Sequence, residues 1–251
     1  MRGPMTYRPA VPDSPSVDDS SGSATARPDF AAVLAVADRI GGWMTAAQAR
    51  SLWDEARALP SGSRIVEIGS HRGRSTVVLA LAAPGSAVVA IDPFIEGPLF
   101  GGLATRDSFL ANIEAAGVSE QIDLRTVKST DLRPDWTDPI DLLYIDGKHD
   151  YWTLSDDLRW ASFVRPGGIV LIHDAFSSIG VTLGLLRHVL PGRQLRYLDR
   201  RTSLARFEVA PPRWSDRVRL IGQLPWWLRN VGIKIVLRVA RLFGNTTPDP
   251  Y

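Results

Sequence analysis

The sequence predicts an α/β protein built on a doubly wound, mostly parallel β-sheet. Short apolar segments without polar alternation recur between segments of helical periodicity, which is typical of strands covered on both faces by helices. The 251 residues, 45% hydrophobic and 22% charged, are enough for one large-cored domain with appendages. Because such sheets bind ligands at the carboxyl ends of their strands, we expect the functional site there.

The predicted elements alternate along the chain. Asp29 caps a first helix that ends near Ile40, and the capping box Thr45–Gln48 begins a second that ends before Pro60. Five strands and a closing strand pair follow, at Arg64–Ile68, Ala87–Ile91, Ile122–Val127, Ile140–Ile145, Ile169–Ile172, Leu195–Leu198 and Ser203–Val209. The helices between them are predicted at Ser75–Ala83, Ser108–Ala116, Tyr151–Val164 and Ile179–Leu190.

The two ends of the chain differ from this pattern. Residues 1–28 hold five prolines and five serines with few apolar residues, so we predict a disordered segment. Residues 211–251 hold seven basic and two acidic residues, hence +5, in a chain whose formal charge is +2. We therefore divide the sequence into a disordered segment (1–28), a folded domain (29–210) and a basic amphipathic tail (211–251).

Composition excludes several classes of function. The chain has no cysteine, which rules out disulfides, thiolate metal sites and cysteine nucleophiles. The small net charge gives no reason to expect a nucleic-acid partner. No apolar run is long enough to cross a membrane, and the N-terminus lacks the apolar core of a signal peptide. We expect a cytoplasmic protein, and the Ala- and Arg-rich usage suggests a bacterial source.

A glycine-containing loop follows the first predicted strand. Gly69 permits a tight turn, and Gly73 lets the backbone approach a ligand where a helix begins. Asp92 lies nineteen residues beyond Gly73, at the end of the next strand, where an acid can accept both hydroxyls of a ribose. The pattern favours a cofactor that contains a nucleoside, and the alternative is a strand–turn–helix junction without a ligand.

The loop also indicates which cofactor. His71 stands where the dinucleotide fingerprint has its middle glycine, which argues against a pyrophosphate. Glu67, two residues before Gly69, suits a cofactor that carries an amino group and no phosphate. We therefore interpret the loop as a site for S-adenosylmethionine, with a nucleotide-dependent oxidoreductase as the alternative.

Four motifs in order resemble those of class I S-adenosylmethionine-dependent methyltransferases, and in particular a branch related to macrocin-type O-methyltransferases. They are Val66–Thr76, Ile91–Pro93, Ile145–Tyr151 and Pro166–Asp174. The resemblance implies a Rossmann-like seven-stranded sheet whose last strand is antiparallel. It also implies methyl transfer to a hydroxyl of a saccharide, glycolipid or secondary metabolite.

The resemblance further implies which residues surround the cofactor. These are Glu67, Gly69, Ser70, Gly73, Ser75, Thr76, Asp92 and Ser129. Glu67 and Gly69 would hold the methionine part, the following loop residues would shape the turn, and Asp92 would bind the ribose. Ser129 occupies the place of the acid that usually lies beside the adenine.

Acids and histidines follow the fourth and fifth strands. An alcohol hydroxyl is a poor nucleophile and needs a general base, a metal ion or both. Because neighbouring strands lie about 5 Å apart, Asp146 and Asp174 can share one divalent cation, Mg²⁺ or Mn²⁺. The related O-methyltransferases bind magnesium through acids at these two strand ends, and commonly have a further acid where this chain has His173.

We predict His149 as the general base, with Asp146 beside it, because an imidazole accepts protons near neutral pH. The alternative is a loop histidine that merely bonds a neighbouring acid. His173 is either a metal ligand or a buried residue that orients Asp174.

The C-terminal tail contains a predicted amphipathic helix, Trp226–Phe243. Asn230, Lys234, Arg238 and Arg241 fall on one stripe, and nearly all other residues are apolar. This pattern suits a helix that lies on an anionic membrane, so the protein would be peripheral to the inner face of that membrane. The alternatives are the interface of a homodimer and a cover for the protein's own sheet.

The sequence does not specify the acceptor. We expect pocket-lining residues in 94–105, a glycine-rich segment that resembles a mobile lid, and in 175–182. A non-catalytic membrane-attached binding module of the same fold is a further alternative. The clustering of acids and histidines at two strand ends favours catalysis over it.

Overall fold

Seven strands form one sheet in the computed structural model, which describes residues 28–97 and 101–242. The strands are β1 (Arg64–Ile68), β2 (Ala87–Ile91), β3 (Ile122–Arg125), β4 (Ile140–Ile145), β5 (Val164–Ile172), β6 (Leu195–Arg201) and β7 (Leu204–Val209). The α-helices are α1 (Phe30–Ala37), α2 (Ala46–Arg57), α3 (Arg74–Ala82), α4 (Gly102–Ala115), α5 (Ser129–Leu132), α6 (Tyr151–Asp157), α7 (Ile179–Gly184), α8 (Trp214–Ile221) and α9 (Leu224–Leu242).

The strand order is β3-β2-β1-β4-β5-β7-β6. The first five strands in this order, β3, β2, β1, β4 and β5, are parallel to one another. The last strand, β7, inserts between β5 and β6 and is antiparallel to both. The predicted fold class, a doubly wound Rossmann-like sheet with its last strand antiparallel and a C-terminal helix, is therefore confirmed.

Each strand supplies both faces of the sheet, which explains the uninterrupted apolar runs. Ile65 pairs with Val88 and packs in the core under α1, α2 and α3. The next residue, Val66, pairs with Val89 and packs in the opposite core, under α6 and α7. Successive side chains of a strand point to opposite faces, so in a strand covered by helices on both sides nearly every position is buried and apolar.

The parallel register aligns the carboxyl ends of four strands. Ile68 pairs with Ile91 and with Ile145, and Ile145 pairs with Ile172. The residues that follow these four isoleucines therefore meet at one edge of the sheet. Four of the predicted site residues, Glu67, Ser75, Thr76 and Ser129, lie elsewhere, and all of the others follow one of these strand ends directly or within five positions.

The first two helices begin where the sequence predicts. The carboxylate of Asp29 accepts a hydrogen bond from the backbone N–H of Ala32 at 2.8 Å. Thr45 and Gln48 form the predicted capping box at the start of α2. Residues 1–27 lie outside the described part of the chain, so their disorder stays a prediction.

Several predicted boundaries are wrong. Helix α6 ends at Asp157 rather than Val164, α7 ends at Gly184 rather than Leu190, and β6 ends at Arg201 rather than Leu198. β3 ends at Arg125 rather than Val127. Helix α4 begins at Gly102, before the predicted Ser108, so the last residues of the expected lid are helical, while residues 98–100 lie outside the description. β5 already begins at Val164, and the glycine-rich turn before Ile169 lies within it as a shift of register against β4. The glycines predict a turn before the strand, and nothing in the sequence shows that the strand already begins on the other side of this turn.

The C-terminal helix α9 packs against the protein with its polar residues. The amide of Asn230, which is fully buried, donates a hydrogen bond to the carbonyl of Phe176. The Lys234 ammonium donates to the carbonyl of Ser177 at 3.0 Å. The predicted polar stripe thus faces the protein at these two positions, because buried backbone carbonyls of the loop after β5 need donors. The side chain of Arg241 and residue 243 lie outside the description.

None of the helices in the described residues has the length and apolar character that crossing a membrane requires.

Candidate active site

The loop after β1 passes very close to the loop after β4. Gly69 has a positive φ of 89°, and a Cβ added there would lie 2.2 Å from the carbonyl oxygen of Asp146. Gly73 also has a positive φ, of 84°, and its added Cβ would meet the ring of Phe109 at 3.0 Å. Both positions therefore require glycine for backbone reasons, independently of any ligand.

Glu67 anchors this loop from inside the sheet. Its side chain is fully buried, and its two carboxylate oxygens accept hydrogen bonds from the hydroxyls of Ser75 and Thr76. Burial raises the pKa of Glu67 to about 7, although the two hydroxyl donors act in the opposite direction. The residue thus ties β1 to the first turn of α3, and its predicted hold on the methionine part of the cofactor stays a prediction.

Ser70 continues the turn. Its side chain is buried, and its carbonyl accepts a hydrogen bond from the backbone N–H of Gly73 at 2.8 Å.

Asp92 faces the same loop from the end of β2. One carboxylate oxygen accepts the backbone N–H of His71 and the other that of Phe94, both at 2.8 Å. Each carboxylate oxygen has a further lone pair, so this half-buried acid can still accept ribose hydroxyls. The His71 ring lies beside Trp43, with ring centroids 5.6 Å apart, and burial lowers its pKa, which keeps the ring neutral.

Ser129 is buried, and its hydroxyl donates a hydrogen bond to the carboxylate of Asp157 on α6. Burial raises the pKa of Asp157 to about 6. One oxygen of Asp157 lies 3.0 Å from where a Cβ on Gly147 would be. Sequence reasoning missed Asp157 because nothing local marks an acid within a helix whose partner is far away in the chain. The adenine contact of Ser129 stays a prediction.

The structure brings together the acids and histidines that follow β4 and β5. The imidazole of His149 lies between two carboxylates, with Nδ1 2.8 Å from Asp174 Oδ2 and Nε2 3.3 Å from Asp146 Oδ1. The His149 side chain is 45% exposed, so a substrate can reach it.

Buried groups orient the two carboxylates. The hydroxyl of Tyr144 donates to Asp146 at 2.8 Å, and that of Ser177 donates to Asp174 at 2.9 Å. Nδ1 of His173 lies 3.1 Å from Asp146, but neither ring nitrogen of this buried residue makes an aligned hydrogen bond within the described residues. Buried polar atoms without hydrogen-bond partners are uncommon, and they indicate a position at which a ligand can bind.

The two carboxylates control the charge of His149. Burial disfavours the imidazolium, but the hydrogen bonds and charges of Asp146 and Asp174 outweigh it and raise the pKa of His149 to about 10. Burial also opposes the Asp174 carboxylate, but its bond to His149 and the nearby His173 hold the pKa of this carboxyl well below its usual range. The imidazole is thus a cation in this arrangement, whereas the sequence suggested a neutral ring.

The cluster brings together side chains of the types that bind metal ions. Ligand atoms of Asp146, His149 and His173 all lie within 4.8 Å of one another. The set combines carboxylate oxygens with imidazole nitrogens, and the unpartnered nitrogens of His173 are available as donors. Such a mixed set suits Mn²⁺ and similar ions better than Mg²⁺, which prefers oxygen ligands alone.

The chain is similar to known proteins both in sequence and in fold. Residues 66–175 match a family described as a methyltransferase domain. The cofactor-bound structure of Rv0187 from MTB is 22% identical with a TM-score of 0.56, and the match covers 80% of this chain and 99% of that one.

Two other similar structures are O-methyltransferases. TomG from Streptomyces achromogenes, in complex with SAM, is 20% identical with a TM-score of 0.56 over 72% of this chain and 89% of that one. The enzyme from Bacillus cereus, in complex with SAH, is 20% identical with a TM-score of 0.53 over 74% and 93%. At these identities the likenesses establish the fold.

The strand order and the match over residues 66–175 together indicate a methyltransferase domain. The matched segment contains Glu67, the glycine loop, Asp92 and the whole acid–histidine cluster.

Proposed function

We propose that the protein transfers a methyl group from S-adenosylmethionine to a hydroxyl of a saccharide, a glycolipid or a secondary metabolite. The observation that carries this proposal is the position of His149 between Asp146 and Asp174, on a strand end that touches the glycine loop at Gly69. The names of the similar structures from Streptomyces achromogenes and Bacillus cereus, both O-methyltransferases, support the same reaction.

Methyl transfer is an in-line displacement at a sulfonium carbon, so the protein must align two reactants and remove a proton. In our proposal the glycine loop positions the donor and Asp92 accepts its ribose hydroxyls. The neutral form of His149, which a pKa of about 10 makes the minor form at neutral pH, takes the proton from the acceptor hydroxyl at a ring nitrogen, while Asp146 and Asp174 hold the ring and stabilise the positive charge that results. The buried hydroxyls of Tyr144 and Ser177 keep the two carboxylates in place.

We also propose that Asp146, Asp174 and His173 hold a divalent cation, Mn²⁺ in preference to Mg²⁺. When bound, the cation would lower the pKa of an acceptor hydroxyl. The group whose ligand atoms lie together contains Asp146, His149 and His173 but not Asp174, so Asp174 stays a predicted ligand. The two roles are linked because Asp146, which helps to hold the proton on His149, is also in this group. A cation bound there would neutralise part of the negative charge that keeps His149 protonated, so the pKa of the ring would fall.

The surface beside His149 favours a saccharide. Trp152 lies three residues after His149, in the first turn of α6, and its side chain is 77% exposed. The start of α7 closes on this segment, because a Cβ on Gly180 would lie 2.8 Å from the carbonyl oxygen of His149. An exposed indole next to a proton acceptor suits the apolar face of a sugar ring.

A calorimetric titration with S-adenosylhomocysteine tests the donor site, and an acceptor screen with a labelled methyl donor follows it. We expect binding by the wild-type protein and at least tenfold weaker binding by Asp92→Ala, since two hydrogen bonds to a charged group are lost. Asp123→Ala, on the exposed part of β3, is the matched control. A folded wild-type protein that takes up neither the donor nor its demethylated product contradicts the proposal.

The metal is tested with the acceptor found in that screen. Exhaustive chelation should abolish most of the activity, and Mn²⁺ should restore more of it than Mg²⁺. Asp174→Asn should remove the response to added metal. Activity that persists unchanged after chelation contradicts the metal site and leaves proton transfer to His149 alone.

A further inference from the structure

The two C-terminal helices turn apolar side chains away from the protein. In α8, Trp214, Val218 and Ile221 are 77%, 50% and 43% exposed, at the spacing of one helix face. The basic residues of α8 point inward instead. Arg217 donates to the carbonyls of Leu190 and Gly192, and Arg219 donates to that of Tyr197.

Helix α9 repeats this arrangement. Its polar residues Asn230 and Lys234 bind the loop after β5, whereas Leu228, Ile235 and Val236 are 61%, 58% and 66% exposed. At about 100° per residue these three side chains span about 100° of arc. Arg229 and Arg238, both exposed, flank this arc on its two sides. We call these five residues the outward face of α9.

We propose that the outward face of α9 docks on the surface of an anionic lipid bilayer. An apolar centre between two arginines matches an interfacial helix, whose apolar side chains enter the acyl boundary while its cations reach the headgroups. The charge agrees, because the outward face carries two arginines and α9 contains no acidic residue. The helix would lie on the surface, since no helix in the described residues can span a bilayer.

A second copy of the chain fits this face less well. Helix α9 contains no acidic residue, so a twofold contact between two outward faces would set arginines against arginines. Like charges that face each other across an interface oppose association, and the cores of protein interfaces are depleted of charge. A bilayer that contains acidic lipids supplies the missing negative charge.

The docking face and the active site share one element. The inward side of α9 holds the carbonyls of Phe176 and Ser177, and the hydroxyl of Ser177 holds Asp174. A bilayer on the outward side would therefore lie across α9 from the loop that carries Asp174. This step rests on the proposed function and favours a lipid-anchored acceptor such as a glycolipid, whereas the bilayer contact stands without it.

Sedimentation of the full chain with vesicles tests the contact. The probes are vesicles of 70% phosphatidylcholine and 30% phosphatidylglycerol, and vesicles of phosphatidylcholine alone, in about 0.1 M salt. We expect at least tenfold stronger partitioning into the anionic vesicles. The triple variant Leu228→Asn, Ile235→Asn, Val236→Asn should bind them at least tenfold less well. Arg238→Gln should weaken binding about fivefold.

Leu110→Asn, on the 43% exposed side chain of Leu110 in α4, is the matched control and should bind as the wild type does. Affinity for S-adenosylhomocysteine must remain unchanged in every variant, which shows that the fold is intact. This measurement also separates the contact from the proposed function, because either can fail while the other holds.

Two results overturn the proposal. One is equal sedimentation of the wild type and the triple variant with anionic vesicles, including no sedimentation of either. The other is a wild-type dimer, in sedimentation velocity without vesicles, that the triple variant converts to a monomer, because a second copy then covers the face.

Discussion

The loop after β1 and the cluster after β4 and β5 lie at one edge of the sheet but are held together in different ways. In the first loop, polar groups close in sequence satisfy one another, as Glu67 does with the hydroxyls of Ser75 and Thr76. In the cluster, charged groups from two strands face each other, and the buried nitrogens of His173 lack aligned partners among the described residues. The polar groups named in the loop thus satisfy one another without a ligand. The cluster, in contrast, has charged groups and, within the described residues, unpaired nitrogens that are available to a ligand or substrate.

The largest expected effect breaks the cluster. His149→Ala should lower kcat by about 10²- to 10⁴-fold, because proton removal from the acceptor loses its base. The affinity for S-adenosylhomocysteine, measured by calorimetry, should stay within about twofold, because the loop after β1 is intact. His188→Ala, a histidine outside the cluster, serves as the control. A variant at position 149 that methylates the acceptor at nearly the wild-type rate contradicts the assignment of the base.

The next effect concerns the loop and is measured as stability. The pKa of Glu67 is about 7 in the folded protein, above its ordinary value of 4.5. Folding therefore favours the neutral acid, and its contribution is complete below about pH 4.5 and is lost as the pH rises to about 7. Across this range the unfolding free energy of the wild type should fall by about 3 kcal/mol relative to Glu67→Gln.

Urea denaturation of both proteins at several pH values measures this difference. The comparison of wild type with variant removes the parallel effect of Asp157, whose pKa is also raised by burial. A difference that stays constant between pH 4 and pH 8 would show that Glu67 keeps its charge on folding.

A smaller effect separates binding from chemistry. Asp92→Asn keeps one acceptor for the backbone N–H groups of the loop but loses the charge. We expect about fivefold to tenfold weaker binding of S-adenosylhomocysteine, since a hydrogen bond to a charged group contributes about 1.5–3 kcal/mol and only part of it is lost. The rate at saturating cofactor should change little. A fall in kcat with unchanged affinity would show that Asp92 acts in the methyl-transfer step and does not bind the cofactor.

The smallest effect joins the tail to the cluster. Asn230→Ala removes the hydrogen bond to Phe176 and should loosen the loop that carries Asp174. We expect kcat to fall about threefold with an unchanged affinity for S-adenosylhomocysteine, and Asn230→Gln to restore less than the full rate. Gln223→Ala, which lies before α9, is the control. An equal loss in both variants would indicate a general loss of stability.

The sequence was sufficient for the fold because its signals are local. Apolar runs of five residues marked the strands, and Thr45 and Gln48 marked a helix start. It also identified the residues of the cluster, since the order of motifs places Asp146 and Asp174 at neighbouring strand ends. It failed on the charge of His149, because the spacing of residues does not show that two carboxylates would face one ring.

Asp157 and the tail were harder for a related reason. The partner of Asp157 is Ser129, and that of Asn230 is the carbonyl of Phe176, each far away in the chain. A helical pattern shows which residues share a face but not which face meets the protein. The polar stripe of α9 was therefore recognised, but the sequence did not predict which neighbour it faces.

The missing side chain at Gly69 has a consequence for how such an enzyme can diversify. The carbonyl oxygen of Asp146 lies 2.2 Å from the position that a Cβ would take, so the main chains of the proposed donor loop and of the loop that carries the proposed base are in contact. In our proposal the distance between methyl donor and proton acceptor is then fixed by the main chain and not by side-chain rotamers. Outer segments such as 94–105 can change to admit new acceptors, and the reacting distance is inherited unchanged.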